Sequence, residues 1–179
     1  MKAASFWAGL LLSLMGMGQS MAAGWERLDL EVRESIRNFY ATIPTARELA
    51  GEAAGMLVFP GVVAGGLVVG GEYGEGALIV GGRTVDYYNT ASASLGLTVG
   101  AQVKTQVLLF MSARALEQFR ASRGWEIGVD GDVALARPGA EGTLDRDTLQ
   151  EPIIAFVFTN KGLMYNLSLE GSKFTRFEQ

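Results

Sequence analysis

At the centre of the chain runs Gly70-Gly71-Glu72-Tyr73-Gly74-Glu75-Gly76-Ala77-Leu78-Ile79-Val80-Gly81-Gly82. Between Gly61 and Gly82, nine of 22 residues are glycine, set among Val, Leu and Ile. Aliphatic runs broken by glycine read as short strands joined by tight turns, because only glycine takes positive φ without steric cost. Tyr73-Gly74-Glu75-Gly76 and Gly81-Gly82-Arg83 are the expected turns. A long alternation follows. From Val85 to Val103 nine of ten odd positions are apolar, while the even positions from Thr84 to Lys104 hold no aliphatic side chain. Period two over such a length is a half-buried strand and not a helix. One straight strand of about 20 residues would reach roughly 65 Å, whereas a globule of this size is about 40 Å across. The segment must bend or break, and Gly96 and Gly100 are the expected kinks. Beyond Lys104, Val107-Leu108-Leu109-Phe110-Met111 is apolar on both faces, the mark of a central strand covered on both sides.

Upstream, Trp25, Leu28, Val32, Ile36, Phe39 and Ile43 recur at steps of three and four, one stripe of an amphipathic helix that Pro44 ends. Its polar face balances Arg27, Arg33 and Arg37 against Glu26, Glu31 and Glu34. Helices that seek lipid surfaces are rich in Lys and Arg there, so packing on the sheet is expected. Thr45-Ala46-Arg47-Glu48 has the capping-box pattern of a second helix to about Ala54, with Gly55 as its C-terminal glycine. Downstream, Ser112 reads as the N-cap of a helix from Ala113 to about Arg123, anchored by Leu116 and Phe119 and stopped by Gly124. Trp125, Ile127, Val129, Val133 and Leu135 read as a half-buried strand, and 137–151 as a surface loop. Ile153 to Phe158 is a second strand buried on both faces. Thr159-Asn160-Lys161-Gly162 is a hairpin turn, with Leu163, Tyr165, Leu167 and Leu169 on the inner face of the returning strand. The expected class is α+β: a curved, mostly antiparallel sheet, barrel- or sandwich-like, with an N-terminal amphipathic helix and a short mid-chain helix.

The first 22 residues read as a signal peptide. Lys2 is the sole charge before Glu26, an apolar run spans Phe6 to Met17, and Ser20-Met21-Ala22 fits a cleavage site. The run is shorter than the ~20 residues a membrane span needs, so cleavage near Ala22 is expected rather than retention as an anchor. Residues 23–179 then form a single domain, with helices over 25–54 and the sheet core over 55–179. The chain has no cysteine, which excludes disulfides, a thiol nucleophile and a lipid-modified cysteine. It has no histidine, which removes the commonest general base and metal ligand. Loss of Lys2 lowers 15 basic residues to 14 against 19 acidic ones, a net of −5. Nucleic acid is therefore not an expected partner, and long-range attraction to anionic membranes is absent.

No chemistry-bearing motif is complete. Gly76 to Thr84 resembles a phosphate-binding loop but has an extra glycine, Arg83 in place of lysine, and aliphatic residues in the loop. Asp130-Gly131-Asp132 with Glu141 meets three positions of a calcium loop, yet Ala134 and Leu135 replace a carboxylate and the required glycine. Glu72 and Glu75 are the one candidate acid/base pair, with solvated turn carboxylates the expected reading. No nucleophile elbow occurs. Neither enzyme, metal nor cofactor is expected.

Several ordered blocks resemble the SYLF family of lipid-binding domains. They are Gly-Gly-Glu-Tyr-Gly-Glu-Gly-Ala-Leu (70–78), Tyr-Tyr-Asn-Thr-Ala-Ser-Ala-Ser-Leu-Gly-Leu (87–97), Gly-Ala-Gln (100–102), Gly-Trp-Glu-Ile-Gly-Val-Asp-Gly (124–131) and Phe-Thr-Asn-Lys-Gly-Leu-Met-Tyr-Asn-Leu-Ser-Leu-Glu-Gly (158–171). The likeness runs from about Gly55 to the C-terminus. It implies a non-enzymatic module that binds phospholipid. Some eukaryotic relatives also bind actin beside a second interaction domain; none is visible here, so an actin role is not expected. The expectation is a phospholipid-binding module of the bacterial periplasm or cell envelope. A structural envelope protein with a protein partner is the alternative, and a hydrolase a distant third. An anionic head group would need local attraction, and Arg114, Arg120, Arg123, Lys161 and Lys173 are the candidate lipid-binding residues, with Glu117 partly offsetting them. At about 1 kcal/mol for each basic residue near a membrane surface, such a patch supports weak, reversible binding.

Overall fold

The computed structural model describes residues 4–66, 69–95, 98–137, 144, 146–159, 161–164 and 167–178. Helix α1 runs unbroken over Ala4–Thr42 and stops just before Pro44. Its stripe is buried as the spacing predicts, with Leu28, Val32, Phe39 and Ile43 all under 8 % exposed. Helix α2 spans Ala46–Glu52, but Thr45 makes no side-chain cap, so the capping box does not form. Gly55 is not a helix terminator either. It opens strand β1 (Gly55–Gly66), where an added Cβ would sit 3.1 Å from the Leu116 methyls.

Four long strands build the sheet: β1, β2 (Val69–Val80), β3 (Arg83–Leu95) and β4 (Thr98–Phe110). Helix α3 (Ala113–Ala121), β5 (Gly124–Glu126), β6 (Ala134–Leu135), α4 (Arg146–Leu149), β7 (Ile153–Thr159), β8 (Gly162–Met164) and β9 (Lys173–Arg176) follow. The fold is α+β, and the strongly curled sheet has the order β5-β9-β3-β2-β1-β4-β7-β6, with β8 on β7. Its described pairings are antiparallel except β6 with β7. The sheet is covered on both faces where sequence predicts it. Val107, Leu109, Ile154, Phe156 and Phe158 pack beneath α1 and α2 on the outer face. Leu108, Phe110, Ile153, Ala155 and Val157 join Phe119 of α3 and Trp125 on the inner face.

Gly81 and Gly82, at φ +58° and +77°, form the β2–β3 turn as expected. Tyr73–Gly76 does not turn; it lies within β2. The glycines there answer a different need. A Cβ on Gly76 would lie 2.3 Å from the Val58 carbonyl oxygen and 2.5 Å from the Phe59 ring, and one on Gly74 would lie 2.9 Å from Val62. Strand β1 carries one residue more than its partners between Val58 and Val63, a bulge at Pro60-Gly61 that bends it and exchanges the parity of its faces.

The long alternating segment breaks into β3 and β4, and the break falls at 96–97, outside the described residues; Gly100 lies within β4. Leu95 pairs with Val69 and Thr98 with Gly66, so β2 and β1 stand between them. In a flat sheet that separation is about 14 Å at ~4.8 Å per strand. Three peptide units reach about 11 Å at most. The sheet must curl at this end, and the four strands form a narrow tip.

Four other expectations are corrected. Helix α3 has its Ser112 cap, which accepts a hydrogen bond from the Ala115 amide, but it ends at Ala121 with Ser122 as C-cap; Gly124 begins β5. The region 125–135 is no continuous strand: a turn at 128–130 splits it and leaves Val129 73 % exposed. Residues 137–151 are more than a surface loop, since Leu144 and Thr148 are buried and α4 lies there, with 138–143 and 145 outside the described residues. The returning strand β8 stops at Met164; Leu163 packs on the outer cluster and Leu167 and Leu169 on the inner one, while Tyr165 lies outside the described residues. The C-terminal tail supplies β9, whose buried Phe174 pairs with Thr90 and Trp125.

The close approach at Gly76 sets the first prediction. Gly76→Ala should cost about 3 kcal/mol, the upper range for overpacking. Gly65→Ala, where an added Cβ meets nothing within 4 Å, should stay within about 0.5 kcal/mol. Equal melting temperatures for the two variants would contradict the close approach.

Candidate functional site

In alternating strands of antiparallel sheets, apolar residues ordinarily face in and polar ones out. The tip reverses this. Register places Val103, Val63, Tyr73 and Ala91 side by side across β4, β1, β2 and β3 on the outer face. They are exposed: Val103 by 61 %, Tyr73 by 50 % and Val63 by 48 %. The inner face at the same level sets polar side chains beside the buried Val62 and Ala64. Lys104 is 5 % exposed, and its Nζ donates to Glu72 Oε1 at 2.6 Å. Gln106 and Thr90 are buried nearby, and Gln106 Nε2 has no partner.

A groove of about 430 Å³ opens between α1 and this outer face. Trp25 and Leu28 line one side, Val63, Tyr73 and Gly74 the other, with Arg27 and Glu31 at the rim. Helix α1 is clamped beside it by Asp29, which accepts hydrogen bonds from Thr84 Oγ1 at 3.0 Å and Tyr87 Oη at 3.2 Å. Trp25 stacks on the Tyr87 ring at 4.4 Å. Burial first, then the Asp29 carboxylate, raises the Tyr87 hydroxyl above its ordinary pKa. Tyr73 Oη donates to Glu75 Oε1 at 3.0 Å; burial first and Glu75 second raise it too. Glu72 and Glu75 therefore point to opposite faces of β2, one held by Lys104 and the other by Tyr73, and do not form an acid/base pair.

The five basic residues singled out in the sequence are all exposed, but they do not share one surface. Arg114 lines a depression with Asp130 and Asp132. Arg120 lies 3.3 Å from Asp86 Oδ2, a contact out of line for a hydrogen bond. Beneath it, burial first and Asp86 second push the Tyr88 hydroxyl up to about 12, against the opposing pull of Arg176 and Arg120. Lys173 on β9 lays its stem along Gly124, the residue after Arg123. Lys161 follows the end of β7 remote from Ile153, the residue paired with Phe110 just before α3. Among the described residues, no group of three or more acidic side chains is placed to hold a metal ion, and no helix is long and apolar enough to cross a membrane.

Residues 91–179 match the family model Ysc84, described as a Las17-binding protein actin regulator. The chain carries a SYLF-family domain. SYLF domains are binding modules rather than catalysts. The match takes in the end of β3, then β4, α3 and the later strands, so Lys104 and Val103 fall within it while Glu72, Val63 and α1 precede it. No curated protein matches the chain.

The ion pair between Lys104, within the matched region, and Glu72, before it, gives a second prediction. Lys104→Met strands the Glu72 carboxylate and should cost about 2–3 kcal/mol. Adding Glu72→Met should recover most of it, because two apolar partners leave no charge unpaired. A Lys104→Met variant as stable as the parent in denaturant melts would mean the pair is bathed in water.

Proposed function

We propose that the protein is a non-catalytic phospholipid-binding module of the bacterial periplasm or cell envelope, and that it meets lipid through the outer face of the sheet tip and the groove beside α1. The observation that carries this reading is the contiguous row Val103–Val63–Tyr73–Ala91, exposed on paired strands and continuous with the groove. Large exposed apolar patches mark interaction sites. The exposed row carries no charge, which suits a chain of net charge −4 that cannot be drawn to anionic lipid from a distance. The basic residues of α3 supply less, since Arg120 sits beside Asp86 and Arg114 beside Asp130 and Asp132. The N-terminal apolar run supports export.

A protein partner is the second reading, favoured by the family description, which names a protein that is bound. Flotation separates the two. The chain beginning at Ala23 should float with vesicles of phosphatidylethanolamine and phosphatidylglycerol, with little dependence on salt. Val63→Asp with Val103→Asp should weaken binding at least tenfold, since each valine buried in lipid contributes about 1.5–3 kcal/mol. Arg120→Glu with Arg123→Glu should cost only a few-fold, and only at low ionic strength. The opposite ranking would move the site to α3, and failure to float together with capture of an envelope protein would replace the lipid reading by the second.

A further inference from the structure

Resting on the lipid reading, the geometry points to a specific mode of attachment: the tip of β1–β4 is an inside-out β element that wedges into the outer part of one bilayer leaflet. Outward apolar and inward polar side chains are the pattern of strands that face hydrocarbon. A water-facing tip gains nothing by burying Lys104 against a half-buried Glu72 while leaving Val103 61 % exposed. Beyond Glu75, the described outer positions of the tip are Val63, Tyr73, Ala91, Ala93 and Val103 with glycines between them, and none is charged.

Two features set the depth. Tyr73 and Trp25 lie at the junction of tip and body, and aromatic rings of this kind settle at the membrane–water boundary. From Tyr73 to Val69, four residues of β2 reach about 13 Å at ~3.3 Å each, within one leaflet of a ~30 Å core. Backbone pairing sets a tighter limit. Among the described pairings, β9 stops at Ala91 of β3 and β7 stops at Thr105 of β4, so the outer edges of both strands run on without partners. Hydrocarbon does not tolerate unpaired N–H and C=O groups. The tip therefore enters at a slant, so that its ~13 Å reach ends at the boundary between head groups and acyl chains, about 5–10 Å deep as for other interfacial elements. The occupant is the disordered upper acyl region, and the rim pair Arg27–Glu31 stays in water.

The chain has no cysteine, so single labels report position. Val63→Cys, Val103→Cys and, on exposed α3, Glu117→Cys are each labelled with a polarity-sensitive fluorophore and mixed with the same vesicles, brominated either near the carbonyls or near the chain ends. The expected result is flotation, a blue shift for the labels at 63 and 103, and stronger quenching by the shallow bromines, with the label at 117 unchanged. Flotation with the labels at 63 and 103 still in water overturns the wedge and leaves lipid binding to another surface. Stronger quenching by the chain-end bromines overturns the shallow depth. Absence of flotation overturns both the wedge and the lipid reading.

Discussion

The structure depends on the close approach of two paired strands where Gly76 of β2 meets Val58 and Phe59 of β1. With no side chain on Gly76 or Gly74, the Phe59 ring and Val62 lie directly against the β2 backbone. That contact, with the bulge at Pro60-Gly61, curls the sheet tightly enough for two residues to carry the chain from β3 to β4 across β2 and β1. The curl divides the molecule. Its body has an aromatic interior in which Phe119 touches Tyr88, Phe110, Trp125 and Phe174. Its tip is too narrow for such a core and closes on a lysine and a glutamate.

The Lys104–Glu72 pair explains how a polar interior persists. Lys104 taken from water without Glu72 would carry the full cost of an unpaired buried charge; at 2.6 Å each offsets the other's desolvation. The odd positions of β3 and β4 are then turned outward. Nearer the body, α1 and α2 cover the outer face and bury Val107 and Leu109. Past Trp25 the described helix side chains Ala22, Ala23 and Gly24 are small and exposed. The groove lies where that cover thins.

Much of this architecture was legible in the chain. The stripe from Leu28 to Ile43, the Ser112 cap and the runs at 107–111 and 153–158 each express a local rule that packing did not override. The Gly74–Gly76 stretch misled because glycine serves two purposes, positive φ in a turn and room for a close neighbour, and sequence alone does not tell them apart. The alternation from 85 to 103 gave the period correctly. Which face is covered depends on what packs there, and that is decided by residues far off in sequence. The candidate site was the least legible part, because its groove joins residues 24–31 to residues 61–75. The contact between Arg120 and Asp86 likewise joins α3 to β3. The one local sign of the reversed tip was that the polar set ended on a charge, Lys104, just before a strand covered on both faces.

On the proposed reading, an acidic protein attaches to lipid by apolar insertion of an inside-out sheet tip rather than by charge. The most direct measurement is surface pressure after injection beneath a phospholipid monolayer packed as densely as a bilayer leaflet. The account predicts a rise in pressure with zwitterionic and anionic lipids alike, unaffected by salt. A rise confined to anionic lipid at low salt, or to loosely packed monolayers, would contradict it.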